Sequence, residues 1–161
     1  MEILIGREHI DPRLLMSTDP SLAKIMSNLN FCTSIAGMLD GENVAAILLN
    51  ETGETFTVEN FSVKEGFGYE TEGKELLLYT MDYAREKKAR YLVAGAGNAM
   101  LQQHAMLQRM GYRLTGVAPD YYKAEGKPMV VENSIVNRDQ LLYRVDFEDG
   151  WTTWTPEVKY K

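Results

Sequence analysis

The sequence predicts one α/β (α+β) domain, a mixed central sheet flanked by helices. Leu141, Tyr143, Val145 and Phe147 alternate with intervening polar residues, the period of a half-buried strand. Leu77, Met81 and Ala84 recur instead at helical spacing, as do Leu76, Thr80 and Tyr83. Strand-like and helix-like segments also interleave along the chain, which argues for one sheet with helices packed on it. A chain of 161 residues, 45% hydrophobic and 25% charged, suits a single domain with a sizeable core. We expect that domain over residues 1–147 and a polar tail over residues 148–161.

Taken in order, residues 3–5 form a first short strand. Pro12 and Pro20 punctuate the approach to a helix over residues 21–28, with Leu22, Ile25 and Met26 on one face. "SIAGMLDGENVAAILL" reads as two strands around a tight turn, because Asp40-Gly41 supplies the positive φ that a two-residue hairpin needs. Residues 54–63, β-branched and aromatic, add a third strand to that meander. A helix over residues 73–88 follows, then a short buried strand over residues 91–95. Residues 98–110 form a second long helix, which Gly111 stops. "YRLTGV" and "LLYRVDF" are two more strands. Residues 120–139 between them read as a long mixed loop, a kind of segment that often carries function. In the tail, Trp151 and Trp154 cap the core or meet another subunit.

The formal charge of -6 argues against non-specific nucleic-acid binding and suits an amine or other cationic partner. No apolar run approaches the length of a membrane span, and the first residues lack the basic-then-apolar pattern of a signal peptide, so a cytoplasmic protein is expected. Cys32 is the single cysteine, which excludes an internal disulfide. With only two histidines, no metal-ligand spacing emerges and no metal is expected. Gly95-x-Gly97 is not a dinucleotide fingerprint, since Met100 stands where the third glycine belongs.

"GFGYETEGKELLL" (residues 66–78) is a glycine-studded stretch opening a helix, an arrangement that holds phosphate through backbone N–H groups. Glu70 and Glu72 sit where a phosphate would go. Lys64 and Lys74 are placed to offset part of their repulsion. The acidic residues also suit an ordinary helix N-terminus.

Several motifs together resemble the GCN5-related N-acetyltransferase (GNAT) family, over roughly residues 19–147. Asn60-Phe61-Ser62-Val63 is similar to the end of the family's fourth strand. "GYETEGKELL" fills the slot of its Gln/Arg-x-x-Gly-x-Gly/Ala loop. "GAGNAMLQQHAMLQRMGYR" is similar to its next strand, Asn, helix and Gly-aromatic pair. Gly95-Ala96-Gly97-Asn98, Asp120-Tyr121-Tyr122 and "VVENSIVNRD" resemble a subgroup with a Gly-x-Gly-Asn motif. The loop departs from the pattern: Gly68 replaces Gln or Arg, Thr71 replaces the first glycine, and only Gly73 matches.

The resemblance implies acetyl-CoA as cosubstrate and an N-acetyltransferase acting on a primary amine of a small molecule or peptide, by direct attack in a ternary complex. It implies that the fourth and fifth strands splay and that the pantetheine arm lies between them. Phe61, Ser62 and Val63 would border that gap, with backbone groups of Phe61 and Val63 pairing with the arm. The pyrophosphate would rest on the N–H groups of Tyr69, Glu70, Thr71, Glu72, Gly73 and Lys74. Asn98 would contact the cofactor arm as well as cap its helix. A backbone N–H near Phe61 would hold the oxyanion.

The usual proton-donating Tyr is replaced by Leu107. His104, one turn earlier, and Tyr122, beside Tyr121, are the candidates to replace it. A Glu often found on the fifth strand is Val93 here. Glu59, Asp120 and Glu132 remain, with Glu59 expected to face solvent by alternation and Glu132 expected to recognise the amine. The alternative is a catalytically impaired protein of this fold, acting as a binding or regulatory module and supported by Thr71, Leu107 and Val93. The resemblance also admits a homodimer.

Overall fold

The structure, a computed structural model, describes residues 1–19 and 21–149. In chain order its elements are β1 (Glu2–Ile5), a 3₁₀ turn (Arg7–His9), α1 (Pro12–Met16), α2 (Leu22–Phe31), β2 (Thr33–Leu39), β3 (Glu42–Thr52) and β4 (Thr55–Val63). A π-helical turn (Tyr69–Gly73) then runs into α3 (Lys74–Glu86), followed by β5 (Tyr91–Gly97), α4 (Leu101–Arg109), β6 (Arg113–Ala118), β7 (Val130–Glu132), β8 (Ile135–Asn137) and β9 (Gln140–Asp146). Seven strands form one sheet in the order β1-β2-β3-β4-β5-β9-β6, and β7-β8 is a separate hairpin. All neighbours in the large sheet are antiparallel except β4 and β5, which makes it the mixed sheet the sequence predicts.

The unbroken apolar run Val44–Leu49 marks β3 as the strand covered on both faces. Ala45, Ile47 and Leu49 join a core with Leu76, Leu77, Met81 and Ala84 of α3, and with Met106 and Leu107 of α4. Ala46 and Leu48 join a second core on the opposite face, with Leu14 and Leu15 of α1 and Ile25 and Leu29 of α2. Helices therefore cover both faces of the sheet. The turn at Asp40-Gly41 has φ of 50° and 78°, the double positive φ of a primed hairpin turn.

Several expectations need correction. Pro12 starts a helix rather than punctuating one. Asp11 caps α1 by accepting from the Arg13 N–H at 3.0 Å, and Pro12 stands at the first helical position, where a missing N–H costs nothing. In α2 the buried stripe is Ile25 and Leu29, whereas Leu22 and Met26 are exposed. Residues 120–139 are not all loop, for the β7-β8 hairpin lies within them. Its turn residues Asn133 and Ser134 hold φ of 52° and 61° without a glycine, so the usual hairpin signal is missing. Asn98 does not cap α4, which begins at Leu101 after Met100 with no side-chain cap. Trp151 and Trp154 lie outside the described residues.

Candidate active site

β4 and β5 pair only from Thr55–Tyr91 to Thr57–Val93. Beyond that point β5 stays bonded to β9 along its whole length, and β4 stays bonded to β3. The two parallel strands therefore part, and the physical cause is in β4. Leu48 pairs with Asn60 and Leu49 with Val58, so Glu59 is an extra residue, a β-bulge that bends the strand. The bulge also resets the alternation. Phe56 and Val58 face the α3 core before it and Phe61 and Val63 after it, while Asn60 and Ser62 bond to α2 and the segment leading into it. Glu59 consequently does not alternate out to solvent: it is half-buried and lines the opening.

The opening is a cavity of about 350 Å³, with Phe61 and Tyr69 on one wall and Gly95 and Gly97 on the other. The Tyr69 hydroxyl donates to the Phe61 carbonyl at 3.5 Å. In an extended strand the C=O and N–H of one residue point the same way, so the Phe61 N–H also faces the opening. On the far wall, a Cβ at Gly97 would lie 2.1 Å from Asn137 Oδ1, and one at Gly95 would lie 2.5 Å from Gln140 Cδ. Only glycine lets those two side chains lie across β5. Asn98 fastens the same region: its Nδ2 donates to Val136 O at 2.9 Å, and its Oδ1 accepts from the N–H groups of Arg138 and Asp139 at 2.8 and 2.9 Å.

At one end of the wedge lies the π-helical turn. The Thr71 and Gly73 N–H groups turn inward to the Gly68 carbonyl, at 3.3 and 3.0 Å. Those of Tyr69, Glu70 and Glu72 belong to the first turn and have no acceptor along the helix. Glu70 points away to Arg109 of α4, 3.8 Å off, and Lys74 and Arg109 border a groove beside it. Glu72 folds back onto the loop and accepts from the Gly68 N–H at 3.0 Å. It also accepts from the Thr71 hydroxyl and from its own N–H, and these bonds hold its carboxyl below the usual range. Lys64 pairs with Glu42, so it does not offset the loop as expected.

Residues 16–19 and side chains between Tyr121 and Glu132 close the cavity from the other side. Asp19, its side chain 4% exposed, accepts from the Ser21 N–H at 2.9 Å and the Asn60 amide at 3.4 Å. Lys24 Nζ stands 3.8 Å from Asp19, 4.0 Å above the Tyr121 ring, and bonds its hydroxyl. Glu132, exposed on β7, lines the cavity with Tyr121 and Tyr122. Burial pushes the Tyr69 phenol up to about 12, and the charge of Glu132 adds to the effect. Burial likewise pushes Tyr122 up, followed by Tyr121 beside it. Both phenols stay protonated at neutral pH and are proton donors facing the cavity.

Two other candidates, His104 and Asp120, stand elsewhere, as does Leu107 in the slot of the missing tyrosine. His104 is buried behind the cavity wall, its Nδ1 2.9 Å from the Tyr143 hydroxyl, and it is not among the lining residues. Leu107 is 2% exposed within the α3-side core. Asp120 pairs with Arg138, whose guanidinium holds its carboxyl below the usual range. The residues that sequence reasoning missed are Asp19, Asn137 and Gln140. Asp19 reads as turn punctuation before Pro20. The other two were signalled only by the i, i+2 glycines they lie against.

Among the described residues no group of three or more His, Cys, Asp or Glu is placed to hold a metal ion. No helix of the described residues is long and apolar enough to cross a membrane.

No family model matches the chain. It is 27% identical over 108 residues, 66% of its length and 70% of the relative's, to the uncharacterized N-acetyltransferase YvbK of Bacillus subtilis. Its structure is similar to an IAA acetyltransferase from Bacillus cereus, with a TM-score of 0.81 and 26% identity over 90% of this chain and 99% of that one. It is also similar to a GNAT family acetyltransferase from Elizabethkingia anophelis with acetyl-CoA bound, with a TM-score of 0.78 and 26% identity over 89% and 97% of the two chains. A Bacillus subtilis acetyltransferase in complex with CoA matches with a TM-score of 0.78 and 25% identity, over the same shares. The relative and these neighbours are acetyltransferases, and the mixed sheet with flanking helices is the GNAT acetyltransferase fold.

Proposed function

We propose that the protein transfers an acetyl group from acetyl-CoA to a primary amine of a small molecule or peptide, by direct attack in a ternary complex. The observation that carries this reading is the end of β4–β5 pairing at Thr57–Val93, which leaves backbone groups of Phe61 facing a cavity. Such an edge can take an extended ligand arm as an added strand. Two of the structural neighbours hold acetyl-CoA or CoA, and the open edge fits the same ligand here.

When bound, acetyl-CoA supplies the activated acetyl group. The chain does the rest. Phe61 and Val63 orient the arm through their backbone, and the Phe61 N–H is aimed to stabilise an oxyanion. The amides of Tyr69 and Glu70, and that of Glu72 once its own carboxylate is displaced, receive the pyrophosphate at the positive end of α3, with Lys74 beside them. The expected Thr71, Gly73 and Lys74 N–H groups are already bonded within the turn. Ser62 faces away from the opening and supports β4 through Thr18. Asn98 acts by fastening residues 136–139 rather than by touching the arm.

Glu132 and Asp19 bring carboxylates to the acceptor end of the cavity and recognise the ammonium. The neutral amine attacks after Glu132 or cavity water takes its first proton, and the second proton it sheds on forming the amide replaces the one Tyr122 gives up. Tyr122 supplies the proton to the departing thiolate in place of the missing helix tyrosine. The Gly-x-Gly-Asn arrangement is the structural reason the β8–β9 segment can lie against β5. A cytoplasmic setting and a homodimer complete the reading. The exposed Leu114 and Val117 on β6, at the sheet edge, support the dimer.

The test has two stages. Acetyl-CoA at a hundred times its Kd should stabilise the fold by about 2.7 kcal/mol through mass action, and a flat melting temperature at millimolar cofactor refutes the proposal. An amine screen with thiol-release detection then finds the acceptor. Glu132→Gln should raise its KM more than that of acetyl-CoA, and equal effects would remove Glu132 from amine recognition. The impaired-module reading is favoured by the burial of Leu107, and it predicts poor or no binding of the cofactor and no turnover on any amine.

A further inference from the structure

Resting on that reading, we infer that Glu72 is a resident anion of the pyrophosphate loop, whose carboxylate holds the turn together and must be displaced, or tolerated at a loss, when a CoA diphosphate binds. Its carboxylate takes the Gly68 N–H at 3.0 Å, the Thr71 hydroxyl and the Glu72 N–H. The single hydroxyl hydrogen of Thr71 serves either this carboxylate or the Gly68 carbonyl 3.1 Å away, and the ionised carboxylate is the stronger acceptor. The carboxylate thus sits among donors of the turn whose first residue, Tyr69, lines the wedge, which is where an anionic ligand extending from the wedge would find its own donors.

The two departures from the family motif then make one unit. Thr71, in place of a glycine, supplies the hydroxyl that Glu72 needs, and Glu72 supplies the negative charge the turn is built to receive. Glu70, by contrast, is drawn off to Arg109, so it carries no comparable charge into the cradle. A carboxylate and a diphosphate sharing these donors repel each other, by about fivefold in affinity for charges several ångströms apart at a screened surface. Glu72 is therefore a determinant of cofactor affinity that works against binding.

The experiment is calorimetric titration of the full chain and its Glu72→Gln variant with CoA and with pantetheine, which shares the arm but lacks the diphosphate. The Gln side chain still accepts from Gly68, so the turn keeps its shape. Glu72→Gln should bind CoA about fivefold more tightly and pantetheine unchanged, with a weaker gain at high salt. Equal CoA affinity in the two proteins overturns the inference, as does a gain of the same size for pantetheine. Glu72→Ala, which also frees the Gly68 N–H, should bind CoA at least as tightly as the parent chain. Weaker binding by Glu72→Ala together with unchanged binding by Glu72→Gln would make Glu72 a structural cap only. CoA binding by neither parent nor variant, in folded protein, fails the cofactor reading itself.

Discussion

Asn98 offers the sharpest test of how this site is held, because its two readings predict opposite results for one substitution. As a helix cap, Asn98→Asp would be neutral, since Asp and Asn cap equally well. As a fastener it would not. The carboxylate keeps the acceptor role toward the Arg138 and Asp139 N–H groups but sets oxygen against oxygen where Nδ2 now donates to Val136 O at 2.9 Å. One lost bond and one unpaired carbonyl cost about 1–2 kcal/mol. Asn98→Ala removes the whole set, at about 2–3 kcal/mol. For a domain of this size that is a fall in Tm of about 2–8 °C for Asp and about 4–12 °C for Ala. Thermal unfolding with amide exchange reads both quantities, and the faster exchange should be concentrated at residues 136–139. An Asn98→Asp variant within about 1 °C of the parent, with exchange at residues 136–139 unchanged, refutes the fastening role.

Other outcomes follow from burial. Leu107→Tyr should cost about 1–3 kcal/mol by overpacking the α3-side core and leave turnover no higher, as urea midpoints and thiol-release assays check. A faster enzyme would show that this position does reach the thiol. Tyr69 has a folded pKa raised from 10.0 to about 12, so its phenolate is disfavoured in the fold. Its contribution to stability is intact below pH 10 and is lost as the pH rises toward 12. Phenolate absorbance should therefore show Tyr69 and Tyr122 ionising only with alkaline unfolding, and ordinary titration of both in folded protein would contradict their burial. Burial, then the charge of Glu59, pushes the Cys32 thiol up to about 11. Disulfide reagents should accordingly react slowly at neutral pH and faster in Glu59→Gln. Rapid modification of the folded parent is the contrary result.

The fold was legible wherever periodicity and turn chemistry agreed. The Asp40-Gly41 hairpin, the α3 stripe and the alternation of β9 are all found as read. The misreadings have local causes. Pro12 is punctuation in most contexts but opens a helix when Asp11 precedes it as a cap. Asn133-Ser134 makes a hairpin turn with two non-glycine residues at positive φ, which the sequence alone disfavours. Asn98 stands just where a cap is expected, and only the tertiary pairing shows that its amide is already engaged with residues 136–139. Of the site, the residues acting through side chains were the harder part. Glu132, Tyr122 and Tyr69 do line the cavity, yet Asp19 stayed hidden because its Asx-type bond to Ser21 makes it look like an ordinary turn residue.

The wedge itself had a signal in the sequence, and it was a phase slip rather than a motif. Apolar residues of β4 fall at Phe56 and Val58, then at Phe61 and Val63, so the period-two pattern skips one place across Glu59-Asn60. A strand with one face on a core can absorb such a skip only by bulging, because a slip without a bulge would turn every later apolar residue to the other face. Here the bulge does two things at once. It returns Phe61 and Val63 to the core, and it bends β4 away from β5 just past Thr57–Val93, baring the backbone that the proposed chemistry uses. That backbone needs no particular side chain, which is why Thr71, Leu107 and Val93 can depart from the family's pattern while the opening persists. On the proposed reading, what those departures change is charge and proton supply around a main-chain opening that does not depend on them. Affinity for the diphosphate and the identity of the proton donor are therefore the quantities in which this chain should differ from its relatives.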